Sequence, residues 1–314
     1  MKSIHLIAPS GASLDTRSPL AGIEWLKQQG IAIQNEACVG RVMQRFAGTD
    51  AERLAEINHL QKIAPDNLVM VMRGGYGIHR LLPDIEWNAI AKAVNSGLQI
   101  CGHSDFTTFQ LALFAKAGAV TLAGPMLNFD FGRQDEQGNV IAPNSFMWKH
   151  FLQAMEERTV DCTVHTVQSH LGKLATGTLS GILWGGNLTV LAGLVGTTYM
   201  PSLGQIQDGI LFLEDVNEHP YRIERMLMQL LDSGILASQS AIMLGGFSGY
   251  RLFDNDRGYQ LESAVELIRS RLPKSIPILT GLPFGHQAEK LTLPVGASVN
   301  LTYKPESFSL KATW

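Results

Sequence analysis

The stretch LQICGHSDFTTFQLALFAKA, residues 98–117, carries the pattern that decides the fold of this chain. Leu98 to Cys101 is a short apolar run, GHSDF follows it, and Thr107 to Ala117 has the composition of a helix. Leu68 to Met72 is a second apolar run, and it ends in RGGYG. Such runs predict buried parallel strands joined by crossover helices. Because ligands bind outside the carboxyl ends of parallel strands, we expect functional loops where these two strands stop.

The rest of the first half continues this alternation. Ile4 to Ala8 predicts the first strand, while Pro19 to Gln29 and Asp50 to Ile63 have apolar residues at helical spacing. From Phe131 to Ser145 the sequence is polar and aperiodic and contains Gly and Pro. We interpret this stretch as a long loop near a domain junction.

The second half has a mixed pattern. Its strand-like segments are Gly209 to Glu214, Ala241 to Phe247, Ile276 to Leu282 and Val299 to Tyr303, and its amphipathic helices are Tyr221 to Asp232 and Leu261 to Leu272. A chain of 314 residues exceeds the usual length of one domain. We therefore predict an α/β protein with a parallel-sheet domain over residues 1–150 and a mixed α/β domain over residues 165–314.

Composition excludes several classes of partner. Charged residues make up 17 % of the chain and the net charge is -3, so nucleic acid is not expected. Cys38, Cys101 and Cys162 form no CxxC pair, which predicts neither a disulfide framework nor a zinc ribbon. No run reaches the ~18 apolar residues of a membrane span, and the apolar stretch after Met1 is too short for a secretory signal. The expected location is the cytoplasm, with no membrane contact.

Ser104 is the candidate nucleophile. It lies on a turn between a predicted strand and a predicted helix, where a hydroxyl projects and the following N–H can face an oxyanion. GHSDF lacks the second glycine of GxSxG, so the α/β-hydrolase turn is not matched. A second interpretation stays open at this point, in which Ser104 only caps the helix that follows.

A serine nucleophile needs a base, usually a histidine oriented by a carboxylate. His286 in LPFGH and His219 in VNEHP each follow a predicted strand, and His103 adjoins Ser104. Each of these histidines can equally be structural.

Three acids lie within five residues at the end of a predicted strand, namely Glu214, Asp215 and Glu218. A carboxylate there can reach a cleft, but acids also favour the start of a helix, such as the one predicted from Tyr221. We predict no metal site, because the chain has no HExxH or comparable histidine pair.

Two glycine-rich segments also follow apolar runs. RGGYG does not match a phosphate-binding loop, but Gly74 and Gly75 allow close approach of backbone to a ligand, as in an oxyanion hole; a plain tight turn is the alternative. WGGN, from Trp184 to Asn187, can form a wall of a substrate site or a strand-to-helix turn.

Eight segments in the same order resemble the LD-carboxypeptidase family, the muramoyltetrapeptide carboxypeptidases. They are IAPSG, RFAGTDAERLAEIN, RGGYG, CGHSDFT, GPML, LWGGN, LEDVNEHPYRIERML and GLPFGH, between residue 7 and about residue 295. The stretch from Arg133 to Asn144 matches no family segment. The resemblance implies a flavodoxin-like N-terminal domain that carries the serine, a C-terminal domain that carries the acid and the base, a cleft between them and a homodimer.

The resemblance also implies the roles of individual residues. It places the nucleophile at Ser104, the charge-relay acid at Glu214 and the general base at His286, with an oxyanion hole from the N–H groups of Gly75 and Asp105. No cofactor is implied.

The expected substrate is a murein tetrapeptide that loses its terminal D-alanine. Further substrate contacts are expected from Gly74, Trp184, Asn187 and Glu218. The terminal carboxylate needs a cation, and the candidates are Arg73, Arg222 and Arg225. Two alternatives remain: a relative that cleaves a peptidyl-nucleotide of the microcin C type, and a non-catalytic protein that binds peptides or sugars.

Overall fold

The computed structural model describes residues 3–165 and 176–314, in which the chain forms two β-sheets flanked by helices. The strands are β1 (Ser3–Ile7), β2 (Ala32–Gln34), β3 (Leu68–Val71), β4 (Gln99–Gly102), β5 (Thr121–Ala123), β6 (Thr159–His165), β7 (Gly177–Asn187), β8 (Ile210–Val216), β9 (Ala241–Ser248), β10 (Ile278–Thr280), β11 (Leu293–Val295), β12 (Ser298–Lys304) and β13 (Ser307–Thr313). The α-helices are α1 (Arg17–Gln28), α2 (Asp50–His59), α3 (Trp87–Asn95), α4 (Thr107–Ala117), α5 (Ser145–Glu157), α6 (Leu188–Leu194), α7 (Leu203–Ile206), α8 (Pro220–Asp232) and α9 (Leu261–Arg271).

The first sheet confirms the predicted flavodoxin-like fold. Its strands run in the order β2-β1-β3-β4-β5, all parallel, and β11 pairs antiparallel with β5 at the edge. This is the strand order of a flavodoxin-like sheet, which binds ligands at the carboxyl ends of its strands. The loops after β1, β3 and β4 therefore meet at one edge.

The second sheet is mixed, as predicted. Its order is β10-β9-β8-β7-β12-β13-β6, in which β7 to β10 are parallel to one another, while the pairs β7–β12, β12–β13 and β13–β6 are antiparallel. Because β11 belongs to the first sheet although it follows β10 in the chain, the chain crosses between the sheets more than once. The division at residues 150 and 165 stays a prediction.

Helix α4 joins the two sheets. All residues from Thr107 to Phe114 are buried, and the helix contacts β5 and β11 of the first sheet and β7 of the second. A helix that is buried on all sides over this length lies between layers of structure instead of on the surface. Residue 104, just before α4, is thereby held at the junction of the sheets.

Local sequence accounts for several element boundaries. Thr49 accepts a hydrogen bond from the Glu52 backbone N–H, and the Glu52 side chain accepts one from the Thr49 backbone N–H, so a capping box starts α2. Helix α8 begins with Pro220, whose missing N–H needs no partner at that position.

Other elements were not predicted. Strands β2, β5, β6, β7, β11 and β13 were missed, and residues Leu127–Phe131 form a π-helical turn at the start of the predicted loop. Strand β13, with sequence SFSLKAT, is largely polar on one face and gave a weak signal. No helix within the described ranges is both long and apolar enough to cross a membrane.

Candidate active site

Ser104 lies on a strained turn after β4. Its φ is 63°, in the left-handed region that residues other than glycine seldom adopt, and it begins a short 3-10 turn, Ser104–Phe106. The residue at the N-cap of α4 is Phe106, and no side chain caps that helix. The interpretation of Ser104 as a helix cap is therefore wrong, because its hydroxyl faces His286 instead of the start of α4.

The RGGYG loop after β3 faces this turn. A Cβ atom placed on Gly74 would lie 2.6 Å from Ser104 Oγ and 3.4 Å from the Asp105 backbone nitrogen. Gly75 has a φ of +113°, which strains any other residue. Residue 74 must be glycine because there is no space for a Cβ, and residue 75 because its φ is positive. Both glycines are therefore needed for this loop to pack against the Ser104 turn.

His286 connects Ser104 to Glu214. The Ser104 hydroxyl lies 3.0 Å from His286 Nε2, and His286 Nδ1 lies 2.8 Å from Glu214 Oε2. Because a carboxylate only accepts, Nδ1 carries the proton and Nε2 accepts from the hydroxyl. Glu214 is completely buried, whereas the imidazole keeps 18 % of its side-chain surface exposed. The three side chains form one hydrogen-bonded chain that starts in the core and ends at a surface cleft.

Asn187 holds Glu214, the buried end of this hydrogen-bonded chain. At the end of β7, its Nδ2 donates to Glu214 Oε1 and to Asp215 Oδ1, at 3.1 Å each, while its Oδ1 accepts from the Val190 N–H at the start of α6. Asp215 faces α6 instead of His286 and accepts from the Thr189 N–H and hydroxyl. Burial raises the pKa of the Asp215 carboxyl. Of the two neighbouring acids, only Glu214 contacts the imidazole.

A bulge brings the histidine loop close to β8. The pairing of β8 with β9 shifts register between Leu213 and Asp215, where β9 contributes Gly245 and Gly246. The Gly246 N–H donates to the Phe284 carbonyl oxygen at 2.8 Å, and a Cβ on Gly245 would lie 2.5 Å from that oxygen. Bulges frequently re-aim side chains beside active sites. Consecutive glycines inside a strand pattern are the sequence signal for this bulge, and it was overlooked.

A buried polar cluster lies behind His286. His103 Nδ1 donates to the Gly124 carbonyl oxygen at 2.9 Å, so its Nε2 can accept from Lys290 Nζ at 3.5 Å. Lys290 also forms an ion pair with Asp130 at 2.8 Å, with both side chains almost fully buried. Burial and the Lys290 charge lower the pKa of His103 well below its ordinary value. The ring of His103, 5.1 Å from that of His286, is therefore neutral.

A cavity of about 630 Å³ opens in front of Ser104 and His286, within the size range of small-ligand sites. Its lining residues come from both sheets: Arg73, Gly74, Gly75, His103, Ser104, Phe129, Asp130, Arg133, Val216, Asn217, His286, Gln287, Ala288 and Lys290. The predicted substrate contact Gly74 lies in this lining, and so does Arg133 of the segment without a family match.

Several predicted substrate contacts lie elsewhere. Trp184 is fully buried and its Nε1 donates to Gln239, so the prediction of a substrate wall is wrong for Trp184, and WGGN forms the end of β7 directly before α6. Glu218 pairs with Arg222 near the start of α8, and neither lines the cavity. Asn187 supports Glu214 instead of facing the cavity.

The remaining candidates have structural contacts. His219 is at the N-cap of α8 and pairs with Asp256. The Asp105 side chain is turned inward, where its Oδ2 accepts from the Ser10 hydroxyl at 2.7 Å. Only the backbone N–H of Asp105 is thus available to the Ser104 side.

A serine, a histidine and a buried carboxylate in one hydrogen-bonded chain are the arrangement found in serine hydrolases; here the first sheet supplies the serine and the second sheet supplies the other two. The family models of the LD-carboxypeptidase N-terminal and C-terminal domains match residues 4–124 and 180–301. The chain belongs to the LD-carboxypeptidase family, a family of peptidases.

Individual relatives agree with this assignment. The murein tetrapeptide carboxypeptidase of Pseudomonas aeruginosa is 30 % identical over 301 residues, covering 95 % of this chain and 92 % of that protein. The crystal structure of muramoyltetrapeptide carboxypeptidase from Oxalobacter formigenes is similar with a TM-score of 0.86 and 41 % identity, covering 100 % of this chain and 99 % of that one. The microcin C7 self-immunity protein MccF of Escherichia coli is 25 % identical over 92 % of this chain and 86 % of that protein.

Proposed function

We propose that this protein is a serine carboxypeptidase that releases the terminal D-alanine from murein tetrapeptides. The observation that carries the proposal is the hydrogen-bonded chain from Ser104 through His286 to Glu214, with distances of 3.0 and 2.8 Å. The names of the relatives from Pseudomonas aeruginosa and Oxalobacter formigenes support the choice of substrate.

The first half of the reaction forms an acyl-enzyme. Ser104 Oγ attacks the carbonyl carbon of the amide between the L-configured centre of diaminopimelate and D-alanine, as His286 Nε2 takes the hydroxyl proton. Glu214 holds the imidazole through Nδ1 and stabilises its positive charge. When the tetrahedral intermediate collapses, the C–N bond breaks and the D-alanine nitrogen leaves with the proton from His286.

Water completes the reaction. His286 takes a proton from a water molecule, the resulting hydroxide attacks the ester, and Ser104 Oγ leaves with that proton. The products are D-alanine and a tripeptide carboxylate, and the enzyme returns to its starting state.

The oxyanion of both intermediates needs N–H donors. We assign this role to the backbone N–H groups of Gly75 and Asp105, because the RGGYG loop and the Ser104 turn lie against each other at Gly74. The left-handed backbone of Ser104 and the conformation of Gly75 set the direction of these donors before substrate binds.

The alternative substrate is a peptidyl-nucleotide. The similarity to MccF supports this alternative substrate, but the relatives with higher identity carry carboxypeptidase names. Comparing D-alanine release with hydrolysis of an aminoacyl-nucleotide distinguishes the two substrates.

The test is mass spectrometry of the protein incubated with L-Ala-γ-D-Glu-meso-diaminopimelate-D-Ala in the presence of a chelator. We expect loss of one alanine, unaffected by chelator, and a fall in turnover of about 10⁴- to 10⁶-fold in Ser104→Ala. Loss of activity with chelator, or an active Ser104→Ala, contradicts the mechanism. Cleavage of the aminoacyl-nucleotide alone contradicts the substrate.

A further inference from the structure

We propose that Arg73 binds the terminal carboxylate of the substrate and so restricts this site to the free C-terminus of a peptide. This inference rests on the proposed function and adds a specificity-determining residue to it. The sequence offered Arg73, Arg222 and Arg225 as equal candidates, and the positions of these side chains separate them.

Covalent geometry limits where the cation can lie. In a peptide that ends in D-alanine, three bonds join the scissile carbonyl carbon to the carboxylate carbon, so the carboxylate oxygens fall within about 5 Å of the atom that Ser104 attacks. The cation must therefore belong to a residue beside the nucleophile. Arg73 directly precedes Gly74, where a Cβ would lie 2.6 Å from Ser104 Oγ.

The Arg73 guanidinium lies in the cavity wall. Its Nη1 donates to the Ala12 carbonyl oxygen at 2.8 Å, its Nη2 lies 3.9 Å from the position of a Cβ on Gly75, and its Cζ lies 5.8 Å from the centre of the Phe129 ring. A carbonyl on one edge and an aromatic ring fix the orientation of the planar group. The guanidinium is thus held near Gly75, which we assign to the oxyanion hole.

Arg73 also has the charge to receive an anion. Within residues 3–165 and 176–314, none of the ion pairs includes Arg73, whereas the buried Arg53 pairs with Asp50 and Arg41 pairs with Glu56. Burial and the nearby Arg45 lower the pKa of Arg73. A half-buried cation without a counterion is costly, and a bound carboxylate lowers that cost.

The other candidate cations are less suitable for binding the carboxylate. Lys290 is 1 % exposed and its charge is neutralised by Asp130 at 2.8 Å. Arg133 is exposed on the polar segment that follows the π-helical turn. Arg222 pairs with Glu218 outside the cavity lining, and Arg225 is not in that lining either.

The experiment compares two substrates, the tetrapeptide with a free D-alanine carboxylate and the same peptide ending in D-alaninamide. For the wild type we expect kcat/KM to be higher for the acid by about 10- to 100-fold, the range of a charge-assisted hydrogen bond. Arg73→Met should lose this factor for the acid and change the amide rate less than threefold, and Arg73→Lys should restore part of the preference. Arg222→Met, outside the cavity, should behave as the wild type.

The outcomes separate the two proposals. If the wild type releases D-alanine and prefers the acid, but Arg73→Met keeps the same acid-to-amide ratio, the assignment of Arg73 is overturned while the proposed function stands. The same conclusion follows if Arg133→Met, and not Arg73→Met, removes the preference. If the wild type cleaves neither peptide, both fail. Retention of the amide rate shows that Arg73→Met is folded, and a loss of both rates in Arg73→Met and Arg73→Lys overturns a role limited to the carboxylate.

Discussion

The two sides of the candidate active site are built in different ways. On the nucleophile side, residues 73–75 and 103–106, backbone conformation sets the geometry: Ser104 has a φ of 63° and packs against a glycine that has no room for a Cβ. On the base side, Asn187, Glu214 and residues 284–290, buried side chains set it through hydrogen bonds and an ion pair. The nucleophile side should therefore be sensitive to added atoms, and the base side to lost polar partners.

The largest expected effect is on the base side. Glu214→Gln keeps the size of the side chain but replaces a pure acceptor by an amide, so the imidazole is no longer held with its proton on Nδ1. We expect kcat to fall by about 10³- to 10⁴-fold, measured as D-alanine release. Asp215→Asn is the matched control, since Asp215 faces Thr189, and it should stay within tenfold of the wild type. Equal losses in both variants contradict the distinction between the two acids.

A smaller loss is expected on the nucleophile side. The added methyl group of Gly74→Ala would lie 2.6 Å from Ser104 Oγ, so the hydroxyl or the loop must move. A displacement of about 1 Å costs on the order of 10²-fold in turnover. Gly193→Ala, near the end of α6 with nothing close to the new Cβ, should leave turnover unchanged. A fully active Gly74→Ala contradicts the claim that this glycine is required.

The ion pair behind the base should act on stability. Lys290→Met leaves the Asp130 carboxylate buried without its counterion, and we expect the free energy of unfolding to fall by about 3–5 kcal/mol in chemical denaturation. Asp130→Asn in the same chain should recover part of this loss. Lys311→Met is the control, because its pair with Asp161 is more than half exposed and contributes less than about 1 kcal/mol. Equal effects at the two lysines contradict the importance of burial.

The smallest expected effect is the pH dependence at His103. Its folded-state pKa lies well below the ordinary 6.5, so as the pH falls below 6.5 the unfolded chain binds a proton that the folded chain does not. Stability is therefore full above that pH and declines toward the folded-state pKa, by at most about 1.4 kcal/mol per pH unit. In His103→Gln this contribution is absent, so thermal unfolding midpoints between pH 5 and 7 should vary less than in the wild type. An unchanged pH dependence refutes the neutral, buried state of His103.

Strands β1, β3 and β4 of the first sheet were predictable because their signals are local, whereas β2, β5 and β11 were missed. Helix α4 has the predicted bounds, and the strands before RGGYG and GHSDF lie within a residue of their expected positions. Strands β11 and β13 were missed because short or alternating polar segments become strands only through their partners. The error at Trp184 has a similar cause, since an aromatic residue at a strand end gives no sign of whether it faces a cleft or the core.

The three side chains of the hydrogen-bonded chain were named from the sequence, but their geometry was not. Ser104, Glu214 and His286 were named from family segments, and the structure brings them into one chain of hydrogen bonds. The supporting residues Asn187 and Lys290 could not be assigned their partners, because Lys290 and Asp130 belong to distant segments and no spacing rule relates them. Contacts of this kind form only after the chain has folded.

The sequence by itself determined three parallel strands and three helices of the first half, the family, and the three side chains placed at strand ends, because apolar periodicity and short motifs act over a few residues. Tertiary structure decided which acid contacts His286, which of Arg73, Arg222 and Arg225 lines the cavity, and that β11 joins the first sheet. These depend on burial and on distances between remote segments. Such quantities come from packing in three dimensions, and no short stretch of residues contains them.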